Sequence, residues 1–221
     1  MSRFSFFLLM MMLYQSFAVM VGEIELEPVD IRPTDIPAIE RGADFFVAHC
    51  HSCHTAKYAV NDPISKAAGV IDRDPLVIDG HEIPDLSLKV SELGANWVYT
   101  YLQAYFVDES RPSGYNNIVK KNTSMPHVLL GLQGEHRLLA DKLNDAQSPP
   151  RLYEVLYKTK SGSMSSAEFY EHLNDLMHYL AYISDPSEAQ RLSIAPAVLT
   201  YLIILFVLLW FIYRGIKRRY D

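Results

Sequence analysis

The sequence predicts a mostly α-helical domain with loop insertions, exported across a membrane and held there by one C-terminal transmembrane helix. Three observations predict it. Apolar residues recur at helical spacing in three stretches of the middle of the chain, alternating strand patterns are scarce there, and long uncharged runs sit at both ends. The averages conceal this placement: 49% hydrophobic residues and a formal net charge of −6 over 221 residues would suit an ordinary soluble globule.

The two ends differ in length and in their flanking residues. Arg3, an apolar run over residues 4–14, and Ser16-Phe17-Ala18 make the three parts of a secretory signal, and the run is shorter than the roughly 20 residues needed to span a bilayer. Residues 1–18 are therefore read as a cleaved signal peptide. Residues 194–213 form an uncharged stretch of twenty, with Trp210 and Tyr213 at one end, where amphipathic rings favour the headgroup layer. This is the transmembrane anchor, with Pro196 in the first turn of the span, where a missing N–H costs little. Arg214, Lys217, Arg218 and Arg219 come directly after it, so residues 214–221 are a basic cytoplasmic tail and everything before the span lies on the outer side.

Between the ends, residues 19–37 carry Glu23, Glu25, Glu27, Pro28, Pro33 and Pro37 and read as an extended N-terminal segment. A first helix starts near Pro37, with Ile39, Ala43, Phe46 and Cys50 on one face. Residues 55–83 show no sustained period and are expected to be loops with short helical pieces. A second helix is expected over residues 92–107, where Trp97, Val98, Tyr101, Leu102, Tyr105 and Phe106 share a face, with a turn-rich loop after it at 111–117. Ser165-Ser166-Ala167-Glu168 is a capping box that opens a last helix with Phe169, Leu173, Leu176, Leu180 and Ile183 in its stripe; a short connection, 185–193, leads to the anchor. Residues 19–191 hold 25 of the 26 acids and 15 of the 20 bases, a net charge of about −10. So acidic a body excludes nucleic acid as a partner and suits encounter with a basic soluble protein.

The chemistry lies in Cys50-His51-Ser52-Cys53-His54, a C-x-x-C-H pattern. Two thiols at this spacing add to the two vinyl groups of a haem, and the adjacent His54 is then held close enough to bind the iron. The expected cofactor is one haem c, attached through Cys50 and Cys53, which makes residues 38–191 a c-type cytochrome domain. A thioredoxin-like dithiol would need a βαβ setting, and a structural zinc site two further ligands in closed geometry. The sixth iron ligand is left open by spacing. Met177 falls beside the apolar stripe of the last helix and reads as core, whereas Met164 precedes that helix and Met125 sits in Ser124-Met125-Pro126-His127, where the proline stiffens the loop. His49, His51, His81, His127, His136, His172 and His178 read as surface or structural residues, and Phe45, Phe46, Trp97 and Tyr101 as core or haem shielding.

Five strings carry a resemblance that is far more specific than the haem pattern. They are Arg41-Gly42-Ala43-Asp44-Phe45-Phe46 before the cysteines, Pro84-Asp85-Leu86-Ser87, residues 94–102, residues 110–117 and residues 125–129. Together with the C-terminal anchor they closely resemble bacterial cytochrome c1. The resemblance implies Met125 as the axial methionine and Pro84 as part of the haem pocket wall on the His54 side. It also implies a one-electron carrier in the bacterial cytoplasmic membrane, its haem domain in the periplasm, within a quinol to cytochrome c reductase, with cytochrome b, the Rieske iron–sulfur protein and a c-type cytochrome acceptor as partners. The sequence also departs from that family. Ser91 and Leu93 stand where arginines usually meet a haem propionate, leaving Lys89 as the cation of that stretch; Ser124 replaces a glycine; and the segment from His54 to Pro84 is shorter than usual.

Overall fold

A computed structural model describes residues 24–78, 80–144 and 148–220. The expected signal peptide, 1–18, lies outside the described residues. Helix accounts for about half of the chain, and the described residues fall into two compact units. Of the described residues, one unit comprises 24–28 and those within 99–165; the other comprises those within 29–98 and 166–220.

The second of these units rests on two helices, α1 (Ile36–His49) and α8 (Ser166–Ser184). Asp35 caps α1 through its side chain, 3.3 Å from the Ala38 amide, and Pro37 sits in the first turn, as the sequence leads one to expect. Ile39, Ala43 and Phe46 of α1 and Leu173, Met177 and Tyr179 of α8 are fully buried, so Met177 is a core residue. The helices meet where Gly42 leaves room, since a Cβ there would lie 2.0 Å from the Asp175 carbonyl oxygen. Beside it the Arg41 guanidinium grips the buried Asp175 carboxylate with two bonds of 2.7 and 2.8 Å. Between these helices in sequence come α2 (Pro63–Ala68), a short hairpin of β1 (Val77–Ile78) and β2 (His81–Glu82), and α3 (Lys89–Leu93). Asp62 caps α2 and also accepts the Tyr182 hydroxyl at 2.5 Å, while Ser65 meets the Tyr179 hydroxyl at 3.0 Å.

Expectation and structure part at the second helix. Instead of running over 92–107, the chain forms α3, breaks at Gly94 with φ of 85°, and resumes as α4 (Ala95–Gln103). It then leaves the helix altogether: β3 (Tyr105–Val107) pairs antiparallel with β4 (Tyr115–Asn117). Cross-strand pairing thus takes over the last turn that the apolar period had suggested. The unit that contains β3 also holds α5 (Leu130–Gln133), β5 (Gly134–Leu138), α6 (Ala140–Asn144), α7 (Leu152–Val155) and β6 (Leu156–Ser161), with β5 and β6 paired antiparallel. Ile24, Ala104, Ile118, Leu152 and Val155 form its core.

The last helix, α9 (Glu188–Tyr220), starts earlier than the span it contains. The expected connection over 185–193 shrinks to three residues, because Arg191 reaches back to Asp185 from the first turn and the Ser187 hydroxyl bonds the same carboxylate. Pro196 therefore lies well inside the helix, where it deprives the Leu192 carbonyl of its usual donor; the Thr200 hydroxyl in turn bonds the Pro196 carbonyl at 2.8 Å. At 1.5 Å per residue α9 is about 50 Å long, ample for a hydrocarbon core of about 30 Å. Its apolar side chains, Leu199, Ile203, Phe206 and Leu209 among them, are exposed, and Arg214 stacks 5.2 Å from the Trp210 ring.

The α1–α8 contact gives the first testable consequence. Gly42→Ala should force the helices apart and lower stability by about 2–3 kcal/mol, read as a drop in the thermal unfolding midpoint of the detergent-purified chain. Gly131→Ala, where a Cβ meets nothing within 4 Å, should change it little.

Candidate haem-binding site

The C-terminal turn of α1 delivers the C-x-x-C-H residues. Cys50 is the residue that ends the helix, its amide still bonded to the Phe46 carbonyl, and the Cys53 and His54 amides turn back onto the Cys50 carbonyl at 3.1 and 2.9 Å. Both thiols and the His54 ring are half-buried. Desolvation, with Cys53 beside it, pushes the Cys50 thiol up to about 12.

His54 is oriented from behind. Its Nδ1 lies 2.8 Å from the Pro84 carbonyl oxygen, and since a carbonyl can only accept, Nδ1 carries the proton and Nε2 keeps its lone pair. Burial pulls the imidazole below its ordinary value, and the Arg73 cation assists while the Pro84 bond and the Asp85 carboxylate oppose, which favours the neutral ring. A neutral imidazole with one nitrogen committed and the other free is the metal-binding form.

Pro84 is itself held in place by the residue after it. The Asp85 carboxylate accepts the Thr55 hydroxyl at 2.6 Å, the Lys57 amide at 2.7 Å and the Ser87 amide at 2.9 Å, while the Leu86 amide donates to the Thr55 carbonyl. Desolvation would raise the Asp85 pKa, but the bonds from Ser87, Thr55 and Lys57 outweigh it and keep the carboxyl below its usual range. The Pro-Asp-Leu-Ser string is thus stitched to the residues just after His54.

A second support comes from His51, which the sequence reads as surface or structural, and from Arg73, which it does not single out. His51 is buried; the Ile71 amide donates to its Nε2 at 3.1 Å, which leaves the proton on Nδ1, 3.2 Å from the His54 carbonyl oxygen. Arg73 donates to the carbonyls of His51 and His54. The residue type alone gave no signal for Arg73, because its role depends on its reach to two carbonyls of a tight turn. Lys89, the cation in the stretch after Pro-Asp-Leu-Ser, is paired with Glu92.

Met125 and Met164 lie in the other unit, and both are half-buried. Met164 comes after β6, with its amide 3.3 Å from the Leu132 carbonyl oxygen and the Ser163 amide 2.9 Å from that of Gly131. Met125 is on the loop before α5, which opens at Asn122 with a left-handed φ of 59°. That conformation is held from the 110–117 string: Arg111 reaches the Asn122 side chain and carbonyl, both at 3.3 Å, and Asn116 Oδ1 accepts the Asn122 amide at 2.8 Å. His127 is buried, with neither ring nitrogen in a well-formed hydrogen bond, although the Gly134 backbone is close by. Burial and the nearby His136 push it down to about 4.

The donor set fits a covalently held haem: two thiols within one turn, and next to them an imidazole whose Nε2 is free because Nδ1 is engaged. Among the described residues no group of three or more His, Cys, Asp or Glu side chains could hold a metal ion by themselves.

No protein-family model matches the chain. It is 28% identical over 211 residues to cytochrome c1 of Allochromatium vinosum, a match covering 85% of this chain and 86% of that protein. It is also 29% identical over 204 residues to a protein of Nitrosomonas europaea named ammonia monooxygenase gamma subunit, covering 81% and 82%. A chain of a hyperthermophilic respiratory complex III superimposes over 99% of this chain and 96% of its own, at 16% identity and a TM-score of 0.43, too low for any conclusion to rest on it. The resemblance carried by the motifs therefore extends along most of the molecule, which is similar to a cytochrome c1 over 85% of its length.

Proposed function

We propose that the chain is the cytochrome c1 subunit of a quinol to cytochrome c reductase, not an enzyme on its own but the carrier of one electron at a time. The observation that carries this reading is a histidine with Nδ1–H committed to the Pro84 carbonyl, directly after paired cysteines, in a chain akin to a cytochrome c1 over 85% of its length. Haem c bound there would supply one reversible electron at its iron. The chain's own residues do the rest. Cys50 and Cys53 would hold the group covalently, the Nε2 of His54 and the sulfur of Met125 would ligate its iron, and Pro84 orients the imidazole. A thioether and a histidine as ligands, in surroundings that exclude water, would favour a raised potential. The Rieske iron–sulfur protein is the donor in this reading, a c-type cytochrome the acceptor, and cytochrome b the membrane partner; α9 crosses the bacterial inner membrane with the haem domain in the periplasm and the tail in the cytoplasm.

A second reading, a membrane-anchored mono-haem carrier working outside such a complex, draws on the likeness to the ammonia monooxygenase subunit. Mild solubilisation separates the two. The first expects co-purification with cytochrome b and a Rieske protein, and quinol-driven reduction of the haem; recovery as a lone haem protein that quinol does not reduce through any partner would sink it.

Three outcomes test the site and the charge. Peroxidase-type staining of a denaturing gel should mark the wild-type chain and be lost when Cys50→Ser and Cys53→Ser are combined. Met125→Leu should abolish the near-infrared charge-transfer band of methionine–iron ligation, and Met164→Leu should leave it in place. Electron transfer to a basic acceptor should slow about tenfold from low to physiological salt, because an acidic surface speeds encounter only while its field is unscreened.

A further inference from the structure

Met125 lies on a loop where a chain of hydroxyl groups links the Thr123 side chain to the Met125 carbonyl. Tyr105, at the start of β3, donates its hydroxyl to the Met125 carbonyl at 3.1 Å. The Tyr105 oxygen is 2.9 Å from the Tyr101 hydroxyl, which is 2.8 Å from the Thr123 hydroxyl. A carbonyl only accepts and each hydroxyl has one proton to give, so the order is fixed: Thr123 donates to Tyr101, Tyr101 to Tyr105, and Tyr105 to Met125. Chains aligned in one direction polarise one another and are strengthened by burial, and Thr123, Tyr101 and Tyr105 are all buried.

The same tyrosine grips the loop a second time. Its ring stacks on His127, with centroids 4.7 Å apart and planes 4° from parallel, and Tyr115 from the paired strand β4 meets His127 edge-on at 5.6 Å. Tyr105 therefore holds residues 125 and 127 on either side of Pro126, whose ring already restricts the backbone between them. Upstream, the left-handed turn at Asn122 is fixed by Arg111 and Asn116. Few of the main chain's freedoms are left at Met125.

We propose that Tyr105 is the positioning residue for the axial methionine, and that the Thr123–Tyr101–Tyr105 chain sets how firmly Met125 stays on the iron. This rests on the proposed role of Met125. A sulfur ligand is weak beside imidazole, and it is kept when its loop cannot move away. Loosening the loop then changes the competition between Met125 and an added ligand.

The test uses the intact membrane protein with its haem, oxidised, and imidazole as the competing ligand. Tyr105→Phe removes the hydroxyl and keeps the ring on His127; it should bind imidazole about fivefold more tightly, the equivalent of one ordinary hydrogen bond, and lose the methionine charge-transfer band at correspondingly lower imidazole. Thr123→Val, one link further back, should shift the same way by less, and Thr123→Ser should restore the wild-type value. If Tyr105→Phe fails to accumulate, the Thr123 pair carries the test. Unchanged imidazole affinity in Tyr105→Phe and in Thr123→Val overturns the proposal. Persistence of the band in Met125→Leu would instead overturn the ligand assignment itself, so the two failures are told apart.

Discussion

The hydrogen bond between the His54 ring and the Pro84 carbonyl decides what the C-x-x-C-H turn can do. At 2.8 Å it fixes the tautomer, frees Nε2 and sets the plane of the ring. It exists only because two distant pieces of chain are fastened together. Asp85 does this with three accepted bonds from Thr55, Lys57 and Ser87, and Arg73 closes the turn from the other side by donating to two of its carbonyls. The turn itself hangs from the end of α1, and α1 is held against α8 by the gap at Gly42 and by the Arg41–Asp175 pair. Each step uses groups that would be expensive to bury unpaired, so breaking one partner leaves the other uncompensated. The Arg-Gly of the first motif and the Asp of the second thus serve the same ring from opposite directions.

The two methionine-bearing loops show how similar side chains can be placed differently. Met164 is tied by its own backbone to the Leu132 carbonyl of α5. The Met125 amide and carbonyl lie instead in a loop shaped by side chains: Arg111 and Asn116 at its start, tyrosines along its length. A loop defined by side chains can tune the group it presents through single substitutions, whereas one tied by its own backbone bonds offers no such handle.

The sequence made the local features legible and hid those that depend on pairing. The start of α1 could be read from Pro37 and the spacing of Ile39, Ala43 and Phe46, and the burial of Met177 from the stripe of α8; both come from periodicity, a property of neighbours along the chain. The end of α4 could not. Tyr105 and Phe106 continue a helical pattern, yet they pair with Asn117 and Asn116, and nothing in residues 92–107 announces a partner ten residues on. Strands of two to six residues, such as β1 and β6, are too short for alternation to show. The C-x-x-C-H pattern of Cys50, Cys53 and His54 stands out in the sequence because haem attachment would demand that spacing. Asp85, His51 and Arg73 do not, because their work is done on backbone carbonyls and amides, which every residue supplies and no residue advertises.

The position of Cys50 also bears on the choice between a haem attachment and a reactive dithiol. Thiols that act by exchange are activated as thiolates, typically at the N-terminus of a helix, where the positive end of the dipole and free amides stabilise the anion. Cys50 is at the opposite end: it closes α1, where unpaired carbonyls and the negative end of the dipole oppose a thiolate. Desolvation and Cys53 push it further, to about 12, leaving a negligible thiolate fraction at neutral pH. Thioether formation consumes both sulfurs once and asks for no thiolate afterwards, so a site that would disable an oxidoreductase costs an electron carrier nothing. Helix polarity, burial and the committed ring of His54 all act in the same direction, favouring a permanently attached group over a dithiol that turns over.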